Sequence, residues 1–269
     1  AMPLANDMVV EVYPDETRGG ARVRYTVKAG VLTYAMTLPL NEVTRVSSGP
    51  MGDAAANLAT LQAALNKGGR VTFEGAGVVY INDPLVIKSN TTLSLPPGLT
   101  IKRAGGSGNL IVNEAFTRPW SGVSVTSVNK MIATVSWVAH GLVVGDEVWL
   151  RGTVGTTPGE YFGVFSVLEI VNANSFKVLL WRVPSGAAAG SFEAKKCDRN
   201  ITINGDAILD HNFTGIGPIG SYTNHAVIIA GAAGVDVDIR VVDIAKFGVC
   251  AAGVKNAHAA VHSPFTTPS

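Results

Sequence analysis

Asp236 and Asp238 are the residues of this chain best placed to do chemistry as a pair. Two residues apart on an extended strand, they project from one face about 7 Å apart. That separation suits inverting glycoside hydrolysis, in which one carboxyl protonates the leaving group and the other activates a water. The competing reading is a solvated ion pair with Arg240, on a face that must be polar somewhere. Asp206 and Asp210-His211 form a second cluster. Asp210 offers either carboxylate chemistry or a turn-shaping side chain, with His211 as its partner. His258 and His262 carry the i, i+4 spacing that binds zinc on a helix, but no Glu follows His258 and Pro264 lies just beyond. On an extended strand their rings stand about 13 Å apart, so no metal site is expected. Trp120, Trp137, Trp149 and Trp181 offer either sugar-stacking platforms or barrel core. GGSG at 105–108 lacks both a Lys-Ser/Thr partner and a following helix, so no phosphate loop and no cofactor are expected. Cys197 and Cys250 are too sparse for a metal motif. They make one disulfide or, as expected of a protein assembled in the cytosol, two buried thiols.

The elements that must hold these residues are unusual. An amphipathic helix is expected over 53–66, with Leu58, Leu61 and Leu65 on one stripe, Asp53 as its cap and Gly68-Gly69 as its stop. After it come VTFE, VVYI, LVIK, TLSL and LTIK, each broken by Gly, Asn, Ser or Pro. No Asn-Gly or Asp-Gly loop joins them into hairpins. Short parallel strands stacked coil on coil fit better, with the helix laid across the open end of the stack. Residues 117–196 interrupt that rhythm with longer strands and all four tryptophans, which reads as a small antiparallel barrel or sandwich. From Cys197 the short rhythm resumes: Val235, Val237, Ile239 and Val241 face inward, while Asp236, Asp238 and Arg240 face out. Residues 1–51 hold three strands with partial alternation (Val23, Tyr25 and Val27 on one face), and 47–53 reads as a linker.

Composition narrows the function. The chain has 269 residues, 30 glycines, only 15% charged residues and a net charge of +1. Such a chain suits all-β architecture and lacks the concentrated basic face of a nucleic-acid binder. Its longest uncharged apolar run, 226–235, is about half a membrane span and is broken by glycines, so no membrane insertion is expected. No basic n-region and apolar h-region mark a signal peptide, but Ala1 precedes Met2, so secretion is not read from this end.

The phrases D-A-A-x-N-L-x-x-L-Q-A-A-L, G-G-x-V-x-F-x-x-G-x-x-Y, S-N-T-T-L-x-L-P-P-G and N-x-T-I-x-G-x-x-x-L-D resemble the right-handed β-helix of pectate-lyase-like proteins. Within that superfamily they look most like bacteriophage tailspikes, over residues 52–113 and 197–261. H-G-L-x-x-G-D-x-V-x-L-x-G, from His140, is similar to small β-modules of phage tail proteins. The resemblance implies an all-β chain: an N-terminal β-region over 1–51, a capping helix and β-helix entrance over 52–116, an inserted module over 117–196, and further coils over 197–269. Those coils are expected to continue beyond Ser269. It also implies a homotrimer on the virion, attached to baseplate or tail, that recognises host surface polysaccharide and in full length cleaves it. Little or no cleavage is expected of the 269-residue chain itself. The rival expectation is a secreted bacterial polysaccharide lyase or hydrolase.

Overall fold

The computed structural model describes residues 8–12, 22–28, 31–38, 42–45, 53–105, 108–129, 131–152, 159–212, 224–242 and 248–263. They are mostly β, with a parallel sheet and a closed six-stranded barrel. Strands β1 (Met8–Val12), β2 (Arg22–Lys28) and β3 (Val31–Leu38) make an antiparallel sheet. The facing of Val23, Tyr25 and Val27, and the linker up to residue 52, lie outside the described residues. Strand β4 (Glu42–Arg45), absent from the sequence reading, pairs in parallel with β5 (Gly69–Glu74).

Helix α1 (Ala54–Lys67) buries Leu61, Ala64 and Leu65, and Leu58 packs beside them. It ends as expected at Gly68, whose positive φ of 70° suits glycine. The start differs: Asp53 lies in a helical turn (φ −86°, ψ 4°) and makes no side-chain cap. A side-chain acceptor caps a helix from an extended backbone, and Asp53 has already joined the coil. The helix covers strand edges with amide side chains. Gln62 donates to the carbonyl of Val86 at 2.9 Å and accepts from its N–H at 2.8 Å, while Asn57 donates to the carbonyl of Tyr80 at 3.2 Å. Backbone groups with no neighbouring strand are thus satisfied by the helix.

The short strands follow: β6 (Gly77–Ile81), β7 (Leu85–Ile87), β8 (Thr91–Leu95), β9 (Leu99–Arg103) and β10 (Ile111–Asn113). Three long, bent strands, β17 (Asp198–Asp210), β18 (Val227–Val242) and β19 (Val249–His262), gather them into parallel ladders. One ladder runs β5–β8–β17–β18–β19, a second β6–β9–β17–β18, and a third β7–β10–β18–β19. Alternation along β18 buries Val235, Val237, Ile239 and Val241 and exposes Asp236, Asp238 and Arg240. The aliphatic interiors of all three ladders merge into one core.

Bends in the long strands occur where an L-residue is strained unless it is Asn or Gly. Asn90, Asn200 and Asn256 have φ of 59°, 53° and 53°, and Gly234 has 67°. Register places the last three at one corner of successive strands. Asn tolerates this region because its short amide bonds locally. Here Asn200 donates to the side-chain carbonyl of Asn90 at 2.9 Å, linking two levels of the corner.

A short helix α2 (Glu114–Thr117) leads into the barrel. Its strands are β11 (Ser121–Asn129), β12 (Ile132–Ser136), β13 (Glu147–Gly152), β14 (Gly163–Asn172), β15 (Ser175–Leu179) and β16 (Phe192–Lys196). They close in the order β11–β12–β15–β14–β13–β16, antiparallel throughout. Strand β16 follows the Gly-Ala stretch at 186–190 and was not foreseen. The barrel core is Tyr161, Phe165, Phe176, Val135, Val148 and Val178. The tryptophans do not fill it: Trp120, Trp137 and Trp149 are half-buried and Trp181 is 59% exposed. Six short strands leave an interior sized for Phe, Tyr and Val, so the larger indoles stand at its periphery.

Trp149 instead meets the ladders. It lies over Gly231 and Gly253, glycines paired by register on β18 and β19. Trp120 stacks edge-on against it at 4.7 Å, with the Arg151 guanidinium 3.8 Å above the Trp120 ring. A polar clasp completes the junction. Lys255 of β19 donates to Glu147 at 3.0 Å and to Ser166 at 2.8 Å, and Ser166 donates to the same Glu147 oxygen at 2.8 Å.

Candidate functional site

The polar face of the first ladder carries Asp236 and Asp238. Inward aliphatics force their neighbours outward, so both carboxylates stand on one surface, as alternation requires. Their partners differ from expectation. Asp236 pairs with His258 at 3.0 Å and Asp238 with His262 at 2.9 Å. Arg240 turns away to Asp206 at 3.0 Å. The reason is register: β19 lies beside β18 with His258 opposite Asp236. On the other side, β17 skips residues between Asn204 and Ile208, which brings Asp206 within reach of Arg240. A cleft of about 360 Å3, bounded by Gly98, Thr100, Asp206 and Arg240, adjoins this face.

The arrangement offers two carboxylate-oriented imidazoles and a carboxylate–guanidinium pair on an open sheet. An imidazole held by a carboxylate can move protons in general acid–base chemistry. Asp236 and Asp238 are 61% and 55% exposed, so neither sits in the dry pocket that a protonated carboxylic acid needs. Each histidine faces its own aspartate, and among the described residues no group of three or more His, Cys, Asp or Glu is gathered as a metal site.

Asp210 occupies a different setting. It is nearly buried, pairs with Lys102 at 2.8 Å and accepts from the Asn212 N–H at 2.7 Å, closing a turn at the end of β17. His211 is fully buried, with its Nε2 on the carbonyl of Gly108. Burial pushes its pKa down, more than the carbonyl contact raises it. The two consecutive residues thus hold separate chain segments: β9 through Lys102, and the loop around Gly108 through His211.

Two buried carboxylates escaped the sequence reading. Asp198 is fully buried and accepts from the Ala115 N–H at 2.6 Å, Asn113 at 2.8 Å and Ser89 at 3.2 Å, with Arg118 at 3.0 Å. It ties the point where the chain leaves the ladders to the point where it returns. Asp146, 2% exposed, pairs with Lys196 at 2.7 Å and accepts from the Val143 N–H at 3.0 Å. Burial raises its pKa, but those bonds and the charges of Lys196 and Arg199 outweigh it and leave it below the usual 3.8. Cys197 is buried and Cys250 half-buried, and the two form no disulfide. Among the described residues no helix is long and apolar enough to cross a membrane.

No family model matches the sequence, and no curated protein matches it. Among solved structures, the tailspike protein gp49 from Pseudomonas phage LKA1 aligns with a TM-score of 0.37 at 14% identity. The alignment covers 68% of this chain and 33% of that one, so this chain spans about a third of that protein's length.

Proposed function

We propose that this chain is the N-terminal part of a tailspike: a homotrimeric virion component whose parallel, right-handed β-helix recognises host surface polysaccharide. The observation that carries the reading is the continuity of three parallel ladders across the barrel. Strands β5–β10 precede it, β17–β19 follow it, and both groups share one core. A stack of this kind presents a long polar face, suited to an extended glycan with many hydroxyls. The amide-studded helix α1 suits the closed end of such a stack. In this reading residues 1–51 serve attachment, the barrel is an inserted module, and efficient glycan cleavage belongs to the longer protein.

The second reading, a secreted polysaccharide lyase or hydrolase, is favoured by one feature: the Asp236–His258 and Asp238–His262 pairs. The test is reducing-end release, together with ultraviolet absorbance of unsaturated products, on capsule and O-antigen polysaccharides. The expected result is no turnover, or very weak turnover, by the 269-residue chain. Robust turnover abolished by Asp236→Asn or Asp238→Asn, and retained after removal of residues 1–51, would establish the enzyme reading instead.

A further inference from the structure

A groove of about 830 Å3 opens on the barrel, on β11, β12, β15 and β16, where β11 leaves β16 at Val123 and joins β12 at Ser124. We propose that this groove is a binding site for an uncharged oligosaccharide, with Trp137 as its stacking platform. The site goes beyond the reading above: it lies on the barrel, away from the ladder face, and stands whether or not the chain belongs to a spike.

The lining chemistry carries the inference. Among the described residues, no charged side chain lines the groove. Ser124, Ser136 and Ser175 stand opposite one another on β11, β12 and β15, forming a row of three hydroxyls. None of the three bonds a described protein atom, so the row can donate to and accept from a polyol. Asn172 and Asn174 lie at the end of the row. Their side-chain oxygens are committed to the N–H groups of Asn174, at 2.8 Å, and Ala139, at 2.9 Å. That fixes both amides, and neither NH2 group makes a hydrogen bond to a described protein atom. Trp137, half-buried against Phe176 at 6.5 Å, supplies an indole beside these donors. Next to it Val138 is 79% exposed. Sugar rings present an apolar C–H face with hydroxyls at the rim, the complement of an indole flanked by hydroxyls and amides.

The groove is also rigid. Trp137 N–H donates to the carbonyl of Asn174 at 2.9 Å. His140 Nδ1 accepts from the Leu142 N–H at 3.0 Å, which leaves Nε2 to donate to the carbonyl of Asn172, also at 3.0 Å. Ala139 is held at φ 51°, a conformation Ala avoids without such restraint. A preorganised turn lowers the ordering cost of binding. A peptide strand fits less well: β12 and β15, which carry Ser136 and Ser175, are each paired on both sides and offer no edge for strand addition.

The experiment applies the fluorescently labelled chain to an array of neutral and uronate-bearing oligosaccharides, then titrates the strongest neutral ligand by tryptophan fluorescence. Saturable binding to neutral glycans is expected, weakened roughly tenfold or more by Trp137→Ala. Ser124→Arg, a change on the exposed lip, should weaken it similarly with the melting temperature unchanged, which guards against a folding defect in the tryptophan variant. Asp236→Asn/Asp238→Asn should leave it intact. No neutral glycan bound, binding to uronates alone, or binding that survives Ser124→Arg but is lost in Asp236→Asn/Asp238→Asn would overturn the proposal.

Discussion

At the scale of single residues, Gly205 of β17 lies directly against the backbone of Leu95 on β8. Its φ is 125°, and a Cβ there would lie 2.0 Å from the carbonyl oxygen of Leu95. Backbone cannot swing aside as a flexible side chain would. Gly205→Ala should therefore cost about 3 kcal/mol or more, through strain and forced displacement of β8. Denaturant unfolding measures this, and an effect below about 1 kcal/mol would show that the strands are not packed as described. Asp146 makes a prediction in pH. Its pKa is lowered in the fold, so its stabilisation is complete above the unfolded value of about 4 and fades as pH falls through the lower folded value. Asp146→Asn should lower barrel stability by roughly 1–3 kcal/mol at neutral pH, because charge-assisted bonds to Lys196 and Val143 are lost. The gap between variant and parent melting temperatures should narrow below about pH 4. A gap that is constant from pH 7 to pH 2 would contradict the ion pair.

At the scale of elements, the corner asparagines explain what was legible and what was not. Helix α1, the five short strands after it and the inward valines of β18 followed from apolar period and turn residues alone. Which strand lies beside which did not follow, because a parallel neighbour is set by register across a whole coil and not by adjacent residues. Asp236 and His258 are 22 residues apart, so their pairing was invisible to local spacing, and Arg240 was assigned to the wrong carboxylate. The signal was present: Asn90, Asn200, Gly234 and Asn256 each precede an alternating stretch, and aligning them puts His258 beside Asp236. The burial of Asp198 and Asp146 does not follow from local spacing, although Asp146 is the Asp of the phrase H-G-L-x-x-G-D. Asn200→Ala should cost roughly 1–2 kcal/mol, combining left-handed strain with loss of the bond to Asn90, and Asn200→Gly should cost less. Equal loss in both variants would move the effect from backbone conformation to the side-chain bond. Deletion of 119–195, bridged by a short Gly-Ser linker, should leave a folded ladder stack by circular dichroism, with some stability lost along with the Trp149 and Lys255 contacts. An unfolded product would show that the barrel is part of the ladder core instead of an addition to it.

At the scale of the whole molecule, the apolar surface is unevenly spread. Of the large hydrophobic side chains exposed among the described residues, nearly all lie on the barrel, including Val138, Val143, Val144, Leu168, Trp181 and Val183; only Val261 lies on a ladder strand. The outermost described ladder strand, β19, is 14 residues long and pairs only with β18 among the described strands. Subunit contact in the proposed spike therefore draws on barrel surface and strand edges more than on bare coil faces. A threefold assembly is the most exposed consequence of the tailspike reading, because a stable single chain has no place in it. The direct measurement is the mass in solution by multi-angle light scattering at micromolar concentration. The account predicts a single species of three times the 28.0 kDa chain. A species that stays at 28.0 kDa across the concentration range would contradict it.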